Sequence, residues 1–261
     1  VDIAGAYGIE LHAGLDIGSR ETPLKFVFTR QWIAEDSTED FFWTRDLYLD
    51  YDRPMNTPLT LNKQGEGDIY LTIRGRDVEI AQEGVLGGVI DASGQNVSIT
   101  TTAGGIGTQE APLVIEAARA LTLTSAEDIW VRGSAGNLLL ENVIAQGSVS
   151  LEADGELAAF EGQHSRVTSA TGEIALRASE IRSMELVGAA GQKLTASIAA
   201  AQAELYVDHD ADVSLLLNGG ILSGELRADG ELYIEEMAEA SMLQMIATLE
   251  AKDVTVRVPG T

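Results

Sequence analysis

A four-residue pattern that keeps returning constrains this chain more than any other feature. An acidic residue, Leu or Ile, an aromatic and an aliphatic follow one another at Asp46-Leu47-Tyr48-Leu49, Asp68-Ile69-Tyr70-Leu71, Asp128-Ile129-Trp130-Val131, Glu204-Leu205-Tyr206-Val207 and Glu231-Leu232-Tyr233-Ile234. A longer pattern, I-G-x-x-E-x-P-L, joins Ile17–Leu24 to Ile106–Leu113 at an offset of 89 residues. Pro58-Leu59-Thr60-Leu61 echoes Pro112-Leu113-Val114-Ile115. A third motif, L-x-A-x-x-L, starts at Leu151, Leu176 (one residue shorter) and Leu226, in steps of 25 and 50. These spacings fit a loose period of about 20 to 30 residues, the signature of a solenoid in which each repeat buries its apolar face against the next.

Local patterning selects the kind of solenoid. Apolar residues alternate at Val97/Ile99, Leu121/Leu123, Val149/Leu151, Ile174/Leu176, Val213/Leu215 and Val254/Val256/Val258, and period two over such short runs is the strand signature. Breakers such as Gly104-Gly105, Asp154-Gly155, Asn218-Gly219-Gly220 and Asp229-Gly230 cut the runs short. No single run can bury a core, whereas strands stacked about 4.8 Å apart share one apolar column. The expected fold is therefore all-β, a right-handed parallel β-helix (β-solenoid) with an aromatic-rich insertion near the N-terminus. An antiparallel sandwich also uses short alternating strands, but does not explain the returning quartet. A leucine-rich horseshoe lacks its L-x-x-L-x-L-x-x-N line. Ala196–Ala203 reads as an inward-facing strand of small residues, with a helix as the alternative. Glu235–Ala247, which holds Met237, Met242 and Met245, reads as a short helix or capping element.

Gly104-Gly105-Ile106-Gly107-Thr108 with Pro112-Leu113, then Leu121-Thr122-Leu123-Thr124, Asp128-Ile129-Trp130-Val131 and Gly147-Ser148-Val149-Ser150-Leu151, resembles the repeats of large bacterial surface proteins similar to filamentous haemagglutinin-like adhesins. The resemblance covers most of 61–258 and part of 1–28. It implies a long parallel β-helical stalk on a bacterial cell surface or in a secreted protein, with no catalytic residues to carry over. On this reading residues 1–28 are an N-terminal coil, 29–60 an insertion with its return strand, and 61–261 the main solenoid.

Composition narrows the partners. The 261 residues hold 41 acidic and 17 basic side chains, a formal charge of −24, which argues against nucleic acid and anionic lipid. Without cysteine there are no disulfides and no thiolate metal sites. No apolar run approaches the roughly 18 residues of a membrane span. The opening VDIAGAYG reads as the start of a piece of something longer. The expected partners are thus neighbouring repeats of a longer chain or fibre, together with a glycan or host cell-surface molecule.

Residues 29–60 break the rhythm. Trp32, Phe41, Phe42, Trp43, Tyr48 and Tyr51 put six of the chain's fourteen aromatics into 32 residues, with the extra length falling near 31–44. Insertions on solenoids cluster on one face and often carry binding. Such rings suit a sugar or an apolar partner surface, and equally suit holding the insertion against the solenoid flank. In the quartet, inward aliphatics would turn Tyr48, Tyr70, Trp130, Tyr206 and Tyr233 outward.

Chemistry is sparse. His12, His164 and His209 lie far apart, and no zincin, P-loop, dinucleotide or nucleophile-elbow motif is present. Asp208, Asp210 and Asp212 alternate just after a strand; hard oxygen ligands so spaced suit Ca²⁺, and a water-facing turn accounts for them as well. No other cofactor is implied. Some parallel β-helices are polysaccharide lyases or hydrolases that use paired carboxylates, but 41 acidic residues make such pairs inevitable. The expectation is a non-enzymatic stalk, fibre or adhesin segment, with a carbohydrate-binding module as the first alternative and a polysaccharide-degrading enzyme as the second.

Overall fold

Alternating aliphatics separated by Gly-rich breaks become strands because each short run gains backbone partners only from its counterparts one repeat away. The computed structural model describes residues 24–27, 47–52, 59–62, 69–74, 78–82, 86–91, 96–101, 104–116, 118–134, 136–162, 164–170, 172–238 and 243–258. Among them the pairings are parallel, and the one helical element is a 3₁₀ turn at Phe160–Gly162. The chain forms two compact units, Val1–Ser134 and Ala135–Thr261, each of them a parallel β-solenoid.

The first unit contains β1 (Leu24–Val27), β2 (Leu47–Asp52), β3 (Leu59–Asn62), β4 (Ile69–Arg74), β5 (Val78–Gln82), β6 (Leu86–Asp91), β7 (Asn96–Thr101), β8 (Leu113–Glu116), β9 (Ala120–Ser125) and β10 (Ile129–Gly133). One sheet runs β1-β2-β4-β6-β8-β10 and the facing sheet β3-β5-β7-β9. The sequence repeats find their places here. Leu24 and Leu113, the last residues of the two I-G-x-x-E-x-P-L copies, open β1 and β8 in the same sheet. Ile106 of the second copy forms a one-residue rung bridging Leu86 and Ile129. Gly107 follows it at φ +66, where an added Cβ would run into Trp130 O, so glycine is what lets the chain leave the sheet there.

The second unit contains β11 (Leu138–Ala145), β12 (Val149–Ala153), β13 (Glu156–Ala159), β14 (Ser165–Ser169), β15 (Ile174–Arg177), β16 (Glu180–Val187), β17 (Leu194–Ala199), β18 (Gln202–His209), β19 (Val213–Asn218), β20 (Ile221–Ala228), β21 (Glu231–Glu236), β22 (Gln244–Glu250) and β23 (Asp253–Arg257). Its first sheet runs β12-β15-β17-β19-β21-β23. In its second sheet β11 pairs with both β13 and β14, and β16, β18, β20 and β22 follow. Ala196–Ala203 is strand, with Ala196, Ile198, Ala200 and Ala203 buried. The helix or cap expected over 235–247 is not found in its described residues, where the end of β21 and the start of β22 stand instead; alternation at Met245, Ala247 and Leu249 outweighs the helical propensity of Met and Ala.

Register gives the true repeat. Partners lie 17 residues apart at Ile69↔Leu86 and 25 apart at Val149↔Ile174, so the step overlaps the expected period and at its short end falls below it. Val149, Ile174, Ala196, Leu215 and Ile234 stack as one buried column of the second unit, and Val143, Val167, Leu186, Val207 and Leu226 as another. Leu151 and Leu176 are register partners, whereas Leu226 stands in the other sheet. The 50-residue step is therefore not two rungs of one column. L-x-A-x-x-L marks corners: Leu151–Leu157 turns from the first sheet to the second, and Leu226–Leu232 turns back.

The two corners share a latch. Both read Leu-x-Ala-Asp-Gly-Glu-Leu, and in both the Glu backbone N–H donates to a side-chain oxygen 19 residues earlier. Glu156 N donates to Asn137 Oδ1 at 2.9 Å, and Glu231 N to Asp212 Oδ1 at 2.8 Å. An Asx oxygen thus satisfies a backbone donor that the sheet cannot reach at the bend.

Candidate functional site

One polar cluster of the second unit grows from an irregularity in its second sheet. β13 meets β16 at an offset of 24 residues and β14 meets it at 19, so the chain between them is displaced from the ladder through the 3₁₀ turn. One rung later the register of β16 against β18 slips between Ile181 and Met184. The slip leaves Ser183 at φ +57, a left-handed bulge residue whose polar atoms are re-aimed.

Both donors of Ser183 reach Glu204 Oε2, the backbone N–H at 3.1 Å and the hydroxyl at 2.9 Å. Glu204 Oε1 accepts the Tyr206 phenol at 2.6 Å. The His164 ring packs on Tyr206 with centroids 3.8 Å apart and planes tilted by 52°. The Tyr206 hydrogen bond is the main reason the Glu204 carboxyl lies below its ordinary range; the Ser183 donors add to it and burial opposes it. The carboxylate in turn holds the phenolic proton, pushing Tyr206 up to about 12. A carboxylate with three donors is held ionised and is no general acid. Ser183 donates to Glu204 while His164 lies on Tyr206, so the three do not form a nucleophile–base relay. The cluster is a clamp across the bulge.

A second feature is an open groove of about 640 Å³ at the corner from first sheet to second. Ala178, Ala199, Ala200 and Ala201 make the depression, and Glu152, Arg177, Ser179 and Asn218 supply its polar atoms. Arg177 Nε lies 4.0 Å from Glu152 Oε1, its register partner.

The sequence-derived candidates fall as follows. Trp32, Phe41, Phe42 and Trp43 lie outside the described residues. Tyr48 and Tyr51 are on β2, with Tyr48 in register with Tyr70 of β4 and Tyr51 with Ile73. Tyr206 and Tyr233, aromatics of two copies of the quartet, stand in different sheets, because the quartet reports period two along a strand rather than a fixed place on the rung. Asp208, Asp210 and Asp212 turn to separate partners. Asp208 pairs with Arg227 Nη1 at 3.1 Å, Asp210 Oδ1 accepts Gly191 N–H at 2.8 Å, and Asp212 holds the corner. Among the described residues no three His, Asp or Glu side chains are gathered as a metal site.

His209 is buried and its Nε2 donates to Gln192 O at 2.6 Å, tying a corner from inside. Sequence reasoning passed over Glu204 as a site residue, although the quartet spells it out: acid and aromatic two apart share one face of a strand. It also missed Glu236, buried one rung above Leu217 in a column that is aliphatic at Ile198 and Leu217. Its Oε1 accepts Ala238 N–H at 2.9 Å, while Oε2 has no hydrogen-bond partner among the described residues. No family model, curated protein or solved structure matches the chain.

Proposed function

We propose that this chain is a structural stalk, fibre or adhesin segment of a bacterial cell-surface or secreted protein, of the kind its repeats resemble in filamentous haemagglutinin-like adhesins. The observation that carries the reading is the stacking itself. Each parallel rung rests on its neighbours at one repeat's distance, so such a body extends by adding turns without redesign. Charged side chains bridge rungs on the outside, as in Arg166–Glu185 and Arg227 between Asp208 and Glu250, and the −24 charge keeps a long body dispersed. Antibodies raised against this chain should label intact bacteria that produce the natural protein, and brief protease treatment of whole cells should remove the label. Labelling that requires permeabilised cells would overturn the reading.

A second reading, glycan display, rests on Tyr48, one of the aromatics of the 29–60 segment, standing at the same register position as Tyr70 on the adjoining strand. Its test is quenching of tryptophan fluorescence across a panel of oligosaccharides, with the response lost in Trp43→Ala.

A further inference from the structure

Asn218 is the last residue of β19 and is exposed, and Gly219 and Gly220 carry the chain round the corner to β20. Of the six asparagines in this chain it alone precedes glycine; the others precede Thr57, Lys63, Val97, Leu138 and Val143. The difference is chemical. A main-chain nitrogen can attack the side-chain carbonyl carbon of the asparagine before it, and a Cβ on the attacking residue crowds that approach. Here the fold requires glycine, because a Cβ at 219 would run into Ala200 O of the preceding rung.

Both reacting groups are open. Among the described residues the Gly219 N–H has no acceptor, whereas the Ile221 N–H, two residues on, donates to Ala201 O at 3.2 Å. The Asn218 side-chain amide has no hydrogen-bond partner among the described residues either. It lines the open groove with Arg177 and Ser179, within reach of water. Asn137 is the opposite case: its Oδ1 accepts the Glu156 N–H at 2.9 Å, and Leu138 follows it.

We propose that Asn218 is a site of spontaneous modification, converting to aspartate and isoaspartate through a succinimide. Gly219 N bonds to Asn218 Cγ as the Cγ–Nδ2 bond breaks, and Nδ2 leaves as ammonia with the proton from Gly219. Water then opens the ring. Cleavage between the nitrogen and Cγ gives aspartate; cleavage on the other side leaves the main chain running through Cγ, as isoaspartate. Overall one amide and one water give one carboxylate and one ammonium ion. The product adds negative charge to a groove already lined by Glu152 and Asp154. The site stands on the geometry of this corner and holds whether or not the surface-stalk reading does.

Peptide mapping by mass spectrometry tests it on the 261-residue chain, held for days in mildly alkaline buffer. Residues 194–227 form a tryptic peptide whose only asparagine is Asn218. That peptide should gain an acidic form before any other asparagine converts, and isoaspartyl methyltransferase should label it. With no hydrogen bond to open first, the folded chain should convert within about tenfold of the rate of the guanidinium-unfolded chain. Asn218→Gln changes an exposed side chain, so it should keep the parent circular dichroism and lose the acidic form. A greater slowing on folding, earlier conversion of another asparagine, or an acidic form that persists in Asn218→Gln would each overturn the proposal.

Discussion

Tyr206 donates its phenolic hydrogen to Glu204, two residues earlier on the same strand, at 2.6 Å. The pair ties the two titrations together. Tyr206 keeps its proton to about 12, above the roughly 10 of a free tyrosine, so its contribution to stability is complete below pH ~10 and is lost as pH rises through about 12. Glu204 runs the other way. Its folded value is lowered, so its contribution is present above the ordinary glutamate range and disappears as pH falls through the lowered value. Tyr206→Phe should remove a phenol that titrates at about 12 from an alkaline absorbance titration and return the Glu204 carboxyl towards its ordinary range by NMR. Loss of a phenol that titrates near 10 instead would sink this account.

The same pair shows how much the sequence disclosed. The recurrent quartet and the period-two runs were enough for strands, parallel stacking and an outward Tyr206, because these follow from side-chain alternation and from repeats that cannot bury themselves singly. What stayed hidden depends on register. Ser183 meets Glu204 because the register of β16 against β18 slips between Ile181 and Met184, and no local spacing encodes that slip. For the same reason Asp208, Asp210 and Asp212 looked like one cluster, while their partners Arg227, Gly191 and Glu231 each lie about one rung away. The corner motif was visible as L-x-A-x-x-L, but not its direction of turn, since a corner looks alike from either sheet.

The corner latch separates an oxygen acceptor from a charge. Asp212→Asn keeps an acceptor for Glu231 N–H and should change the urea midpoint little, within about 0.5 kcal/mol. Asp212→Ala leaves that donor to water at a tight bend and should cost about 1 kcal/mol. Asn137→Ala should behave alike, because Asn137 serves Glu156 in the same way. Equal losses for Asp212→Asn and Asp212→Ala would mean that charge, rather than the hydrogen bond, matters at this corner.

Gly224 lies within β20 at φ +110, and a Cβ there would run into Leu205 O of the neighbouring rung. Gly224→Ala therefore meets both a disfavoured backbone region and a backbone contact that cannot move aside. A loss greater than about 1 kcal/mol is expected in urea unfolding. Ala175 is at the opposite extreme, half-buried and pointing away from the core of β15; Ala175→Ser should be nearly silent, which controls for effects of substitution in a strand.

Leu215 is wholly buried and stacks between Ala196 and Ile234. Leu215→Ala puts two alanines on adjoining rungs and opens a cavity that the rigid ladder cannot collapse, for a loss of about 2 to 5 kcal/mol. Ala196→Leu sets two leucines on adjoining rungs and should cost about 1 to 3 kcal/mol through overpacking. If register partners share one volume, Ala196→Leu with Leu215→Ala merely exchanges the large and the small residue along the column. The double variant should then be more stable than the sum of the single losses, by at least about 1 kcal/mol. Additive losses in urea unfolding would mean that adjoining rungs pack independently, and the column would not be the element that holds this solenoid together.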